Sequence, residues 1–343
     1  MSHYKLALLG FGNVGQALAR LLLRKQAELQ SRYDLTFRVT GIATGHHGWA
    51  LDPAGIDLER ALAAMAEGGD ALPTLTALSP SGNAFDFIQH SEADVLFENT
   101  PVNYVSGQPA TEHLRTALKL GMHAITANKG PVVHAYRQLT DLAATQGRKF
   151  YFESAVMDGA PIFSLFRQAL PAAQLRTFRG VLNSTTNLIL TRMESGESFE
   201  QAVAYAQAIG IAETDPSGDI DGWDAAVKVA ALATVLMDFP LLPSQVKRQG
   251  IRDITPQEIQ RARQDDKRWK LICSAERTGD SLQARVQPEM VHVSSPFYQI
   301  MGTTSLIQFE TDVLGSLTLI ETNPGPETTA YGLLADFLNA VRD

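Results

Sequence analysis

Tyr4-Lys-Leu-Ala-Leu-Leu9 reads as a buried parallel strand. It runs straight into Gly10-Phe11-Gly12-Asn13-Val14-Gly15 and then into a helix with Val14, Ala17, Leu18, Leu21 and Leu22 on one face. The glycines in this strand, turn and helix permit the tight turn, the close approach of a pyrophosphate and tight helix packing. The free amides at the start of such a helix attract phosphate, so Gly10, Phe11, Gly12, Asn13, Val14 and Gly15 are expected to cradle a dinucleotide. The alternative is an ordinary strand-to-helix turn.

Further strands are expected at Phe37–Ala43, Ala93–Glu98 and Met122–Thr126, with helices at Leu58–Glu67 and Glu112–Leu120, the latter stopped by Gly121. This alternation through about residue 150 predicts an α/β fold whose first domain, residues 1–150, is a doubly wound, Rossmann-type parallel sheet. Ligands in such sheets bind at strand carboxyl ends, which makes Thr100 a candidate nicotinamide contact; Lys129, at a second strand end, is either surface decoration or shares that crevice. The second strand ends in Thr44-Gly-His-His-Gly48 with no carboxylate to engage an adenosine ribose, so NADP is permitted alongside NAD. His46 and His47 are candidate helpers or plain loop residues.

The pattern then changes. Phe150–Val156 reads as a strand in which Glu153 is the only charge, and that carboxylate needs either a bound cation or a hydrogen-bond network. Met157–Pro161 reads as a turn and Ile162–Ala169 as a helix. Leu175–Leu182 leads into a polar helix start at Asn183-Ser-Thr-Thr-Asn187. Ser198-Phe-Glu-Gln201 is a capping box for a helix running to Ile209, where Gly210 ends it. Thr255-Pro-Gln-Glu258 is expected to start a helix reaching about Glu276. Ser305–Glu310 and Leu317–Ile320 read as antiparallel strands, and a final helix follows Gly325-Pro326.

The most polar stretch is Glu213-Thr-Asp215-Pro-Ser-Gly-Asp219-Ile-Asp221-Gly-Trp-Asp224-Ala-Ala-Val-Lys228. Its five carboxylates precede any basic residue, and such a cluster repels itself unless a cation sits in it. Asp221 is placed to cap the helix that follows, putting Asp224 and Lys228 on one helix face. A solvated i,i+4 pair would be worth only about 0.3–0.5 kcal/mol. The run after Lys228 is almost wholly apolar, however, so the lysine is expected at a cleft, where a partly desolvated amine among carboxylates can act as an acid or base. An EF-hand is rejected, since its first position would be Ser217 and its closing glutamate Lys228.

Composition narrows the function classes. With 45% hydrophobic and 19% charged residues and a net charge of -8, the chain is globular and has no attraction for nucleic acid. The single cysteine, Cys273, excludes a disulfide framework and a multi-cysteine zinc site, and it is expected in an apolar helical run as a structural residue. No apolar stretch reaches membrane-spanning length and no signal peptide is evident, so a cytoplasmic protein without membrane partners is expected.

Taken together, Gly10–Gly15, Thr126-Ala-Asn-Lys129, Glu153-x-x-Val156-x-x-Gly159-x-Pro161, Gly180-Val-Leu-Asn-Ser-Thr-Thr-Asn187 and Glu213…Asp224…Lys228 resemble homoserine dehydrogenase across nearly the whole chain. The acidic loop and the Leu-Asn-x-Thr-Thr-Asn segment carry the specificity, whereas the glycine loop is shared with many dehydrogenases. The resemblance implies NAD(P)-dependent interconversion of homoserine and aspartate 4-semialdehyde, in threonine and methionine biosynthesis, by a homodimer. It implies an α+β substrate and dimerisation domain over residues 151–318 and a C-terminal segment, 319–343, returning to the cofactor domain.

By the same resemblance, Lys228 exchanges the hydroxyl proton, Lys129 assists near the nicotinamide, Glu213 and Asp224 hold the substrate, and Gly210 and Gly325 line the cofactor. A monovalent cation, Na+ or K+, is implied at the Glu153 side chain and the carbonyls of Val156, Asp158 and Ala160. Met157-Asp158 and Asn323-Pro-Gly325-Pro depart from the family pattern. No aspartokinase or regulatory region flanks the dehydrogenase, so end-product inhibition is not expected. The competing readings are a paralogue acting on another small amino-acid semialdehyde and a non-catalytic cofactor sensor.

Overall fold

The computed structural model describes residues 1–77 and 82–342. Two compact units emerge, Met1–Pro161 with Gly325–Asp343, and Ile162–Pro324.

In the first unit β1 (Ser2–Leu9) enters the glycine turn and α1 (Asn13–Tyr33) leaves it, ending where Asp34 adopts the left-handed conformation. β2 (Leu35–Ala43) and the short β3 (Trp49–Leu51) follow. α2 (Leu58–Ala66) is capped by the Asp57 carboxylate, and α3 (Ala84–His90) by a reciprocal Asn83–Asp86 capping box. β4 (Val95–Glu98), α4 (Ala110–Lys119), β5 (His123–Thr126), α5 (Lys129–Thr145) and β6 (Phe150–Tyr151) complete the winding.

The sheet order is β3-β2-β1-β4-β5-β6, parallel throughout except for the antiparallel β3. Leu6, Ala7 and Leu8 are fully buried because β1 has neighbours on both edges and helices on both faces. The winding reverses between β1 and β4, and that switch point is where a doubly wound sheet opens its ligand crevice. The C-terminal helix, Pro326–Val341, belongs to this unit: Ala330, Leu333, Leu334, Phe337 and Ala340 join the core of Leu18, Leu22 and Phe97.

The second unit holds a mostly antiparallel sheet and the helices that carry the acidic loop. A π-helical turn at Leu165–Ala169 precedes β7 (Leu175–Val181), α6 (Ser184–Glu194), α7 (Phe199–Ala208), the single turn α8 (Ser217–Ile220) and α9 (Trp223–Leu236). Then come β8 (Lys247–Arg248), α10 (Pro256–Gln264), β9 (Lys267–Thr278), β10 (Ser281–His292), β11 (Ser305–Thr311) and β12 (Gly315–Glu321). The order is β12-β11-β7-β9-β10-β8, with only β8 parallel to its neighbour.

Three local expectations are corrected. The helix from Thr255 stops at Gln264, and the run to Thr278, Cys273 included, is the central strand β9. Its middle residues are buried on both faces, which erases the alternation by which a strand is recognised. Glu153 lies not in a strand but in a 3-10 turn, Glu153–Ala155, because β6 ends at Tyr151. Asp221 does not cap α9; Gly222, at φ 79°, occupies that position, and Asp221 closes α8 one residue earlier.

Candidate active site

The glycine turn is built for close approach. A Cβ on Gly10 would lie 2.4 Å from the Asn99 carbonyl oxygen, and one on Gly15 would lie 2.3 Å from that of Gly10, so neither position admits a side chain. Gly12 faces open space, and α1 begins there with no side-chain cap and no acidic residue in its first turn. Its first amides therefore point outward at a positive helix end, a fit for pyrophosphate. Phe11 is buried in the core and supports the turn from below, while Asn13 is exposed and Val14 half-buried.

At the end of β2 a cavity of about 200 Å³ is lined by Thr44, His46, Trp49, Asn83 and Phe87, with no carboxylate among the described residues of its walls. At the ends of β4 and β5, Asn128 donates to the Thr100 carbonyl at 3.1 Å and accepts from the Gly130 amide at 3.0 Å. This bond starts α5 and fixes Lys129, its first residue, beside the Thr100 loop. Gly325 precedes the C-terminal helix with no side-chain cap and open space at its α-carbon, and in the second unit Gly210 takes φ 74° just after α7.

The turn after β6 is held by the C-terminal helix. The Glu153 amide donates to Asp336 Oδ2 at 2.6 Å, Ser154 Oγ donates to the Thr329 carbonyl at 2.7 Å, and Gly332 and Gly159 are pinned by close backbone. Asp158 sits at φ 41°, a conformation aspartate tolerates, and its carboxylate accepts from Thr328 Oγ1 at 3.2 Å. The Met157 carbonyl accepts from the Ala160 amide at 2.9 Å. The Glu153 carboxylate is buried in this turn. Among the described residues there is no cluster of three or more His, Cys, Asp or Glu side chains suited to a metal ion.

The five carboxylates of the acidic loop separate into distinct tasks. Asp221 pairs with Arg252 at 2.9 Å, and the Ser217 hydroxyl, then its amide at 3.1 Å, hold the Asp215 carboxyl below the usual range. Asp219 and Asp224 converge on Asn183, the N-cap of α6, whose amide donates to Asp219 Oδ1 at 2.6 Å and Asp224 Oδ2 at 3.0 Å. Burial, then the neighbouring Asp224 charge, pushes the Asp219 carboxyl up. Lys228 Nζ completes the group, 3.0 Å from Asp224 Oδ2 and donating to the Leu182 carbonyl at 2.6 Å. The cations that offset the cluster's repulsion are thus lysine and arginine side chains later in the chain.

Glu213 is exposed, and no described hydrogen bond joins its carboxylate to that group. Cys273 lies beneath the same floor in β9, fully buried, its thiol pushed up to about 12 by burial. A larger cavity, about 570 Å³, opens beside Arg176, Met237 and Arg277 at the opposite end of α9 and contains none of the motif residues.

Three groups that matter here carried no assignment in the sequence reading. Asn183 was one polar residue in a motif, yet it bridges two carboxylates. Glu98 ended a strand, yet it is fully buried. Lys270 is also fully buried and donates to Asn187 Oδ1 at 2.9 Å and to the Ile300 carbonyl. Only a charged residue inside an otherwise apolar stretch could have marked the last two.

The family described as homoserine dehydrogenase matches residues 161–338, and its NAD-binding domain matches residues 10–153. A protein of Pseudomonas canavaninivorans named NAD(+)-dependent homoserine dehydrogenase is 36% identical over 99% of this chain and 96% of its own length. A crystal structure from Archaeoglobus fulgidus assigned to the same family aligns with TM-score 0.86 at 31% identity, covering 98% of each chain. A hyperthermophilic archaeal homoserine dehydrogenase mutant in complex with NADPH aligns with TM-score 0.83 at 26% identity, covering 99% of this chain and 98% of that one.

Proposed function

The chain belongs to the homoserine dehydrogenase family, and from that premise we propose how its own residues divide the interconversion of homoserine and aspartate 4-semialdehyde. The bound nicotinamide supplies the hydride acceptor or donor. The first unit holds it, with the α1 amides and Gly10–Gly15 on the pyrophosphate, Thr100 and Lys129 at the nicotinamide end, and Gly325 lining it; Gly210, a residue of the second unit, is a further lining position by the family resemblance. The second unit holds homoserine, with Asp224 and Glu213 drawing its ammonium.

Lys228 is the proton-exchanging residue. As hydride leaves carbon a proton must leave the hydroxyl oxygen, and a titratable group has to reach it. The observation that carries this reading is the placement of Nζ between the Leu182 carbonyl and Asp224, with only 14% of the lysine side chain exposed. Both partners are acceptors and orient Nζ; in homoserine oxidation the neutral amine takes the hydroxyl proton, and in the reverse direction the ammonium returns it. Asp219, held up by burial, adds a second carboxyl whose charge state tunes the group.

A sodium or potassium ion at Glu153 and the carbonyls of Val156, Asp158 and Ala160 is proposed as a structural clamp on that turn. NADP is proposed to serve at least as well as NAD, on the cavity after β2, where no carboxylate stands among the described residues. The related proteins include one named NAD(+)-dependent and one mutant solved in complex with NADPH. A cytoplasmic homodimer on the route to threonine and methionine is proposed from the family resemblance. No described helix is long and apolar enough to cross a membrane.

The test is reduced-nicotinamide absorbance during incubation of purified protein with homoserine and each cofactor in turn, with sizing in solution alongside. Homoserine-dependent reduction of NADP supports the reading. Reduction with another amino-alcohol but not with homoserine would move the chain to the paralogue.

A further inference from the structure

We propose that Glu98 is a positioning residue for hydride transfer: its buried carboxylate ties the Thr100 loop to the Thr126–Lys129 turn and fixes the nicotinamide end of the cofactor site. The proposal rests on the reading that Thr100 and Lys129 serve the nicotinamide.

Glu98 closes β4 with no exposed surface. A carboxylate taken wholly out of water is retained only where donors converge on it. Here Oε1 accepts from the Thr100 amide at 3.1 Å and from the Thr100 hydroxyl, and Thr126 Oγ1 shares its one hydrogen between Oε2 at 2.9 Å and the Glu98 backbone carbonyl at 2.7 Å. His113 of α4 places Nδ1 3.7 Å from Oε1, the one described charge partner it has. Thr126 Oγ1 in turn accepts from the Asn128 amide at 2.9 Å, and Asn128 Nδ2 donates to the Thr100 carbonyl at 3.1 Å. The bonds form a closed ring, Glu98 to Thr100 to Asn128 to Thr126 and back, and Lys129 is the next residue out of it.

Two consequences follow from the acceptor-only chemistry of a carboxylate. Both polar hydrogens of Thr100 turn inward, so its hydroxyl oxygen has only acceptor capacity left for a ligand. That suits the amide hydrogens of a nicotinamide carboxamide. The ring also removes torsional freedom from both loops, and misplacing such groups by about 1 Å can cost on the order of a hundredfold in rate. An apolar residue at position 98 would pack as well but would leave Thr100, Thr126 and Asn128 to find other partners.

Wild type, Glu98→Gln, Thr126→Val and Thr126→Ser are compared for kcat, for binding of NADPH and for binding of 2′-phospho-ADP-ribose, which lacks the nicotinamide. Glutamine presents one acceptor oxygen where the carboxylate has two. Expected are a kcat lower by about ten- to a hundredfold in Glu98→Gln and Thr126→Val, NADPH binding weakened several-fold, unchanged fragment binding, and near-complete rescue in Thr126→Ser. Equal weakening of NADPH and fragment would reduce Glu98 to a fold-stabilising residue, and unchanged kcat with unchanged NADPH binding would remove it altogether. If Glu98→Gln does not fold, the Thr126 pair decides on the same criteria. A wild type that binds NADPH but does not oxidise homoserine contradicts the functional reading, and the NADPH-to-fragment comparison still decides the role of Glu98.

Discussion

Asp224 and Lys228 meet across one turn of α9, with 3.0 Å between Oδ2 and Nζ and only 10% and 14% of their side chains exposed. A pair at this spacing on a solvated helix face would be worth a few tenths of a kcal/mol. Here the same spacing sits above a buried strand and beside Asn183, which donates to the same Asp224 oxygen. The geometry orients an amine, and its consequences can be separated from those of an ordinary ion pair.

Cofactor choice follows from the end of β2. Among the described residues no carboxylate lines the cavity there, and a 2′-phosphate is proposed to meet no fixed negative charge. The expected kcat/KM with NADP equals or exceeds that with NAD. An NAD preference on the order of a hundredfold, about 2.7 kcal/mol, would reveal a group that repels the phosphate.

The Glu153 turn should respond to monovalent cations. Replacing sodium and potassium by a bulky organic cation is expected to lower activity or melting temperature, and Glu153→Gln should be insensitive to the exchange. Wild-type behaviour of both protein and variant in the organic-cation buffer would sink the assignment.

Much of the fold was legible because the signals were local. The Gly10–Gly15 turn, the Ser198–Gln201 capping box and the helix start at Thr255 appear where the spacing put them. β9 was not legible: flanked by β7 and β10, it buries Lys270, Leu271, Ile272 and Cys273 in succession, so no period of two survives. Asp221 was misplaced as a cap because the left-handed turn needed there is taken by Gly222. In the site, the Asp224–Lys228 pair could be read from helix spacing. The bridge through Asn183 could not, since it joins residues 36 and 41 positions apart.

Asp219 gives a stability prediction with a definite sign. Burial and Asp224 raise its folded-state carboxyl above the unfolded value. The native state therefore holds the proton longer, and the contribution to stability is present at acid pH and lost as pH rises through the raised value. Asp219→Asn, which can keep the bond from Asn183, should gain melting temperature relative to wild type at neutral pH, on the order of a degree or two, and little at pH below the ordinary aspartate range. A constant difference across that range would contradict the shift.

Lys270 should act in the opposite direction along the pH axis. Burial lowers its amine to about 8, opposed by the Glu194 charge and reinforced by Arg268. The unfolded chain then binds the extra proton between that value and the ordinary lysine range, so stability tied to this residue rises with pH across the window. Melting temperature of wild type minus that of Lys270→Met should increase from about pH 7 to about pH 10. A flat or falling difference would show that the buried amine is charged throughout.

The most direct test of the account is kcat of Lys228→Met, measured as a function of pH on protein shown to be folded and to bind cofactor. Losing a general acid/base typically costs ~10²–10⁴ in rate, whereas losing a substrate-holding carboxylate, as in Glu213→Gln, should appear mainly as a raised KM for homoserine. The account expects Lys228→Met to keep its cofactor affinity, to lose kcat by that factor, and to lose the limb of the pH–rate profile that reports the base. A folded Lys228→Met enzyme that retains more than about a tenth of wild-type kcat with an unchanged pH profile would contradict it and leave Lys228 as the partner of Asp224 in a helix ion pair.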